Sequence, residues 1–115
     1  MSRFFRPSEF RCPCCNIAIM DIHFLDMLDA ARGIADVPFV INSGWRCPAH
    51  NQEIGGKLNS SHLDGKAVDI QAITGKHRLD VLRGLIKAGF TRIGIATTFI
   101  HADSDADKPQ SIWMY

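Results

Sequence analysis

The chain has 115 residues, of which 46% are hydrophobic and 22% are charged, and its formal net charge is +1. This length and composition predict one compact domain, residues 1–115, with a substantial core, and they argue against a disordered chain. The near balance of 13 Lys and Arg with 12 Asp and Glu argues against nucleic-acid binding, and no apolar run reaches the roughly 18 residues of a membrane span.

The N-terminal segment, residues 1–20, is predicted to be irregular and to pack on the domain, because Pro7 and Pro13 interrupt it. Its basic residues are not followed by an apolar run of the length found in secretory signals. We therefore expect the protein to be cytoplasmic as synthesised.

Four cysteines are present, and three of them, Cys12, Cys14 and Cys15, form a cluster far from Cys47 in the sequence. A zinc ribbon needs two ligand pairs, which this spacing does not provide. Reduced, mostly buried thiols are the expectation. A structural metal and a disulfide from the cluster to Cys47 are the alternatives.

Hydrophobic periodicity and turn residues predict the regular elements of the rest of the chain. In order they are a helix from Asp21 to about Gly33, a buried strand at 37–43, a turn or short helix after Pro48, a strand at 67–71, a helix from about Gly75 to Ala88, strands at 92–96 and 99–103, and an apolar segment at 111–115. The last two strands are close enough to pair as a hairpin. This order is not a βαβ alternation, so we predict an α+β fold on a mainly antiparallel sheet.

The three-residue spacing of apolar residues also predicts which helix faces are buried. On the first helix the apolar stripe is Ile22, Leu25, Leu28 and Ala31, with Phe24 and Met27 alongside, and on the second the buried stripe is Leu79, Leu82, Leu85 and Ile86.

Two predicted strands carry side chains that can bind a metal. Alternation places Asp69 on one strand face with Ala67 and Gln71, and it places His101 on a face with Phe99 and Asp103. A buried carboxylate is costly unless it is paired or bound to a metal. Each residue alone also has an ordinary explanation, a satisfied core histidine or an aspartate that caps a loop.

His62, in the loop before the first of these strands, adds a third candidate ligand. Together His62, Asp69 and His101 offer three nitrogen or oxygen ligands for a zinc ion whose fourth position is open, which is typical of a catalytic site.

A longer motif surrounds these residues. Ser60, His62, Gly65, Ala67 and Asp69 reproduce the pattern S-x-H-x-x-G-x-A-x-D. This pattern resembles the signature of the zinc D-alanyl-D-alanine peptidases, which include carboxypeptidases, dipeptidases and phage peptidoglycan endopeptidases and share their fold with the Hedgehog signalling domain.

Two flanking segments extend the resemblance from about Phe10 to Trp113. SGWRCPAHN (43–51) is similar to the family's SG-aromatic-R segment, and FIHAD (99–103) with Trp113 is similar to its terminal histidine strand. The resemblance implies a zinc ion held by His62, Asp69 and His101, and hydrolysis of a peptide bond in the stem peptides of bacterial peptidoglycan.

Chemistry suggests roles for two further residues. Zinc lowers the pKa of a bound water and polarises a carbonyl, and Arg46, which matches the family's arginine, is expected to anchor a substrate carboxylate or a developing oxyanion. The alternative for Arg46 is a surface ion pair. Ser60 is expected to bind substrate or orient a ligand, or else to end the loop.

The general base departs from the family pattern. Many members carry Asp or Glu three residues before the last histidine ligand, and Thr98 stands there in this chain. Asp103 is the predicted substitute, with orientation of a ligand histidine as its alternative role. Asp64 is a weaker candidate for the base.

The resemblance therefore implies one of two functions. The first is a monomeric zinc D,D-carboxypeptidase or endopeptidase, released to the cell wall by phage lysis or carried in a phage particle. The alternative is a non-catalytic, zinc-dependent peptidoglycan-binding or Hedgehog-like domain on the same fold. Thr98 favours the binding domain, and Asp103 favours the enzyme.

Overall fold

The computed structural model describes residues 3–115, in which one five-stranded sheet is covered by helices. The elements are a short 3-10 helix Pro7–Phe10, α1 Ile22–Ala35, β1 Ile41–Ser43, α2 Pro48–Glu53, β2 Ala67–Gln71, α3 Gly75–Lys87, β3 Arg92–Ile95, β4 Phe99–Asp103 and β5 Ser111–Met114. The sheet order is β1-β2-β4-β3-β5. All pairs are antiparallel except β3 with β5. The predicted α+β class and its mainly antiparallel sheet are confirmed.

The central strands alternate as predicted. Val68, Ile70, Ile100 and Ala102 are buried in a core shared with α1 and α3. Asp69 and His101 lie on the opposite face, directly across from each other in the β2–β4 register. The predicted β3–β4 hairpin is also present.

The first helix, α1, begins where predicted and ends later. The Asp21 side chain accepts the Phe24 N–H at 2.9 Å and caps the first turn. The helix passes through Gly33 and ends at Ala35, followed by Asp36 in the left-handed region with φ 54°. Leu28, Ala31 and Phe24 of its predicted apolar face are buried, but Ile22 is 66% exposed, so its place in the stripe was wrong.

The buried face of α3 is rotated from the predicted stripe. Leu85 is buried as predicted, but Leu79 and Ile86 are about half exposed, and Val81 and Gly84 are buried in their place. A Cβ added to Gly84 would lie 2.5 Å from the carbonyl oxygen of Ala31. The close approach of α1 at this glycine therefore sets which face of α3 is turned inwards.

Strand β1 is shorter than the strand predicted for 37–43. It covers only Ile41–Ser43, and its pairing with β2 is irregular between these two residues. Pro38 has no N–H to donate to a ladder, and Val40 is 49% exposed.

None of the helices in residues 3–115 is long and apolar enough to cross a membrane.

The N-terminal segment packs on the domain through aromatic residues. Phe5 and Phe10 are buried, and the Trp45 N–H donates to the Phe10 carbonyl at 2.9 Å. A Cβ added to Gly44 would lie 2.6 Å from the Phe10 Cα, so only glycine fits there. Of the segment predicted for 1–20, residues 1 and 2 lie outside the described part of the chain.

All four cysteines are free. Cys12 is buried and Cys47 is half-buried, but Cys14 and Cys15 are exposed. The prediction of mostly buried thiols was therefore wrong for two of the four, because both belong to a surface turn, 13–15.

Candidate metal centre and active site

The structure brings His62, Asp69 and His101 together, and we call these three residues the triad. One ligand atom from each lies within 4.8 Å of the others. Asp69 Oδ1 is 3.4 Å from His62 Nε2 and 3.0 Å from His101 Nδ1. His62 comes from the turn before β2, and the other two side chains come from paired positions on β2 and β4.

The ring of His62 is fixed with one nitrogen facing the triad. Nδ1 lies 2.7 Å from the Gly44 carbonyl, and because a carbonyl only accepts, Nδ1 carries the proton. The other nitrogen, Nε2, faces Asp69 and is buried without a hydrogen-bond partner.

The turn that carries His62 is held on both sides. The Ser60 hydroxyl accepts the His62 N–H at 3.2 Å, and the Ser61 hydroxyl donates to Asp105 at 2.8 Å. Gly65 has φ 68°, and a Cβ there would collide with the Ile19 carbonyl, so the glycine of the motif is required for the turn. Ser60 thus supports the turn through the His62 backbone, and its role in binding substrate or orienting a ligand stays a prediction.

His101 is held from the side opposite to Asp69. Its Nε2 lies 2.7 Å from Asp103 Oδ2, so it donates to that carboxylate and leaves Nδ1 facing Asp69. The other oxygen of Asp103 accepts from Arg92 Nε at 2.7 Å and from the Asp105 N–H at 3.2 Å.

The charges of the triad are coupled. Burial alone would raise the pKa of Asp69, but contacts with His101 and His62 outweigh burial and hold it well below its usual range. Burial would lower the pKa of His101, but hydrogen bonds with Asp103 and Asp69 raise it overall. The carboxylate therefore stays ionised and draws positive charge towards itself.

The donor set fits a zinc ion. Two imidazole nitrogens and a carboxylate oxygen converge on one point, which is unfavourable without a proton or cation between them. Ligand atoms about 2.0–2.2 Å from a tetrahedral zinc lie roughly 3.3–3.5 Å apart, close to the observed 3.4 and 3.0 Å. The unpartnered Nε2 of His62 is the clearest sign of a missing partner.

Arg46 lies beside the triad, held by three contacts. It is 3.6 Å from Asp69 Oδ2, its NH1 donates to Asn51 Oδ1 at 3.2 Å, and its Nε donates to the Ser43 hydroxyl at 3.3 Å. The side chain is 14% exposed. It is thus a largely buried cation beside the triad, and its acidic neighbour is the strand residue Asp69 rather than a loop acid at the surface.

A family model for peptidase M15 matches residues 4–103. The chain belongs to the peptidase M15 family. M15 peptidases are zinc-dependent, in agreement with the triad. No curated protein matches the chain closely enough to add a named relative to this assignment.

Asp103 and Asp64, the two predicted candidates for the general base, differ in their surroundings, as does Thr98 at the usual acid position. In this M15 peptidase Asp103 is buried, and both its oxygens have partners. Asp64 and Thr98 are exposed. The general-base role of Asp103 stays a prediction.

Several groups of the M15 site were not foreseen from the sequence. The acceptor for His62 is the backbone carbonyl of Gly44, which carries no side-chain signal. Arg92 partners Asp103 and also stacks 4.9 Å from the Trp113 ring, which lies 5.5 Å from the His101 ring. Alternation along β3 places Arg92 opposite Asp103, and that pairing is the signal that could have identified it.

Proposed function

We propose that this M15 chain is a zinc metallopeptidase that hydrolyses a peptide bond in bacterial peptidoglycan stem peptides, as a D,D-carboxypeptidase or an endopeptidase. The observation that carries the proposal is the unpartnered Nε2 of His62 beside Asp69 and His101, with Arg46 adjoining. This arrangement combines a three-ligand metal site with a fixed cation for substrate.

His62, Asp69 and His101 would hold the zinc, which when bound supplies Lewis acidity and an activated water. Arg46 keeps one side of its guanidinium on Ser43, Asn51 and Asp69. We propose that its remaining N–H donors bind the C-terminal carboxylate of a stem peptide or the developing oxyanion, for which a planar donor is well suited.

For Asp103 we propose the positioning role. Its contact with His101 Nε2 holds the ring so that Nδ1 faces Asp69. Burial would raise the pKa of Asp103, but hydrogen bonds with His101, the Asp105 N–H and Arg92 lower it and keep the carboxylate ionised. A general base would have to reach the water, and Asp103 would first have to release one of these partners.

The contacts of Asp103 favour one alternative function, a non-catalytic, zinc-dependent peptidoglycan-binding domain. If Asp103 is committed to Arg92 and His101, and Thr98 replaces the acid of other family members, the triad can hold a metal without efficient proton transfer. For either function we propose a monomer that reaches the cell wall through phage lysis or in a phage particle.

The test is cleavage of purified stem peptides that end in D-Ala-D-Ala, with cross-linked muropeptides in parallel, by zinc-loaded protein. We expect product release that stops on chelation and returns on adding zinc. If the zinc-loaded protein binds stem peptides without cleaving any of them, the peptidase proposal is wrong and the binding domain takes its place. If it neither binds nor cleaves them, the proposed substrate class is wrong.

Arg46→Lys should retain zinc but lower kcat/KM for stem peptides by roughly 10- to 100-fold. The reason is that a charged hydrogen bond contributes about 1.5–3 kcal/mol and an ammonium cannot reproduce the two-pronged geometry. The matched control is Arg83→Lys, since Arg83 also contacts an aspartate, Asp80, but on α3. Parent-like turnover of Arg46→Lys would show that the arginine only supports Asn51 and Ser43.

A further inference from the structure

The four cysteine sulfurs meet in one cluster on the surface, although Cys47 is remote in sequence. Cys12 Sγ lies 3.6 Å from both Cys14 Sγ and Cys47 Sγ, and Cys14 Sγ lies 3.1 Å from Cys47 Sγ. Cys15 completes the group, in which all four sulfurs lie within 4.8 Å of one another. No other histidine or carboxylate joins this group among residues 3–115.

These separations suit a metal better than a disulfide. Sulfurs about 2.3 Å from a tetrahedral zinc lie roughly 3.8 Å apart, whereas a disulfide bond is about 2.05 Å long and joins only two sulfurs. A thiol is a weak hydrogen-bond donor and a weak acceptor, so contacts among four thiols stabilise the cluster little. A shared cation gives every sulfur a strong partner.

The backbone holds the first three cysteines in a compact loop. The Cys12 N–H donates to the Ile17 carbonyl and the Asn16 N–H donates to the Cys12 carbonyl, both at 2.8 Å. Asn16 has φ 58°, the left-handed conformation that closes the turn. This loop projects three sulfurs from a short stretch of chain towards a fourth.

The fourth sulfur comes from the beginning of α2. Cys47 is the N-cap residue, and its sulfur accepts the His50 N–H at 3.4 Å. It follows Arg46 directly in the chain and faces the N-terminal segment, which also contacts Gly44 and Trp45 through Phe10. The cluster therefore joins the N-terminal segment to the stretch that carries Arg46 and the Gly44 carbonyl.

We propose that Cys12, Cys14, Cys15 and Cys47 bind a second zinc ion, whose role is structural. Four protein ligands leave no open position, in contrast to the triad. The thiols release their protons on binding. The ion fastens the N-terminal segment to the Gly44–Cys47 stretch, and through it stabilises the acceptor of His62 and the position of Arg46.

Cobalt separates the two sites, because only thiolate ligands give a sulfur-to-cobalt charge-transfer band in the near ultraviolet. Reduced, metal-free protein carrying His62→Asn, which lacks one triad ligand, is titrated with Co²⁺. We expect about one tightly bound cobalt per chain, with this band and with the visible bands of a tetrahedral site. Zinc should displace the cobalt and bleach the bands.

Two variants and one thiol count complete the test. Cys14→Ser and Cys15→Ser change exposed residues, so the fold should tolerate both, and each should lower the charge-transfer band by about a quarter or more. Cobalt bound without the band would overturn the proposal. A thiol count gives a second way to overturn it. If protein purified without reductant shows only two reactive thiols after chelation and unfolding, two of the cysteines form a disulfide. Stem-peptide cleavage is not a readout here, so failure of the proposed peptidase function leaves this result unaffected.

Discussion

A protein carrying His62→Asn is expected to lose the triad zinc and at least about 10³-fold in stem-peptide cleavage, with its fold intact. The asparagine amide can still donate to the Gly44 carbonyl in place of Nδ1, but the buried Nε2 that faces Asp69 is removed. A catalytic metal contributes several kcal/mol of charge stabilisation, and each 1.36 kcal/mol is a factor of ten in rate. Zinc content by elemental analysis and peptide cleavage, measured on one sample, give the result.

The matched control is His23→Asn, which makes the same exchange at an exposed position of α1. It should leave both readouts at parent values. Because the cysteine cluster is proposed to hold its own ion, His62→Asn should lose one zinc and retain the other. Unchanged zinc content and unchanged cleavage would show that the triad is not the metal centre.

The second large effect is expected from Asp103→Asn, which should lower the zinc affinity of the triad by roughly 10- to 100-fold. Asparagine can still accept from His101, but its amide cannot replace the carboxylate that pairs with Arg92. The histidine then loses its fixed orientation and its charged partner. Cleavage should recover when zinc is added in excess, and competition with a chelator of known affinity measures the change.

A general base at Asp103 predicts a different pattern. The rate would fall by about 10²–10⁴-fold at saturating zinc, with the affinity for zinc unchanged, and that result would reject the positioning role. Asp80→Asn is the control, because Asp80 is also buried and ion-paired, with Lys76 and Arg83 on α3. It tests whether loss of a buried carboxylate alone disturbs the triad.

Much of the fold could be predicted because local signals and tertiary packing agree. Strand β2 has the predicted bounds, and α2 begins at Pro48 as expected. The exposure of Leu79 and Ile86 on α3 could not be predicted, because apolar spacing does not reveal that Gly84 allows α1 to approach closely. β1 is shorter than predicted because pairing partners, not β-branched residues alone, decide where a strand ends.

The candidate site was predictable where it rests on side chains in a motif. His62 and Asp69 belong to one signature, and alternation on β4 identified His101. The Gly44 carbonyl and the Arg92 contact depend on which segments pack together. The cysteines show the same limit, since the distance between Cys14 and Cys47 in the sequence hides their 3.1 Å contact in the fold.

The register that places Asp69 opposite His101 has a further consequence for how the two central strands separate on unfolding. β2 and β4 are inner strands of the sheet, and their side chains reach one ion only while the two strands are paired. A zinc ion held by the proposed triad would therefore bind the native state in preference to the unfolded chain, and a free zinc concentration of 100 times Kd would add about 2.7 kcal/mol to the free energy of unfolding. Amide hydrogens along this pair should exchange most slowly in the metal-bound protein. The rate of zinc release then becomes a measure of how often the centre of the sheet comes apart.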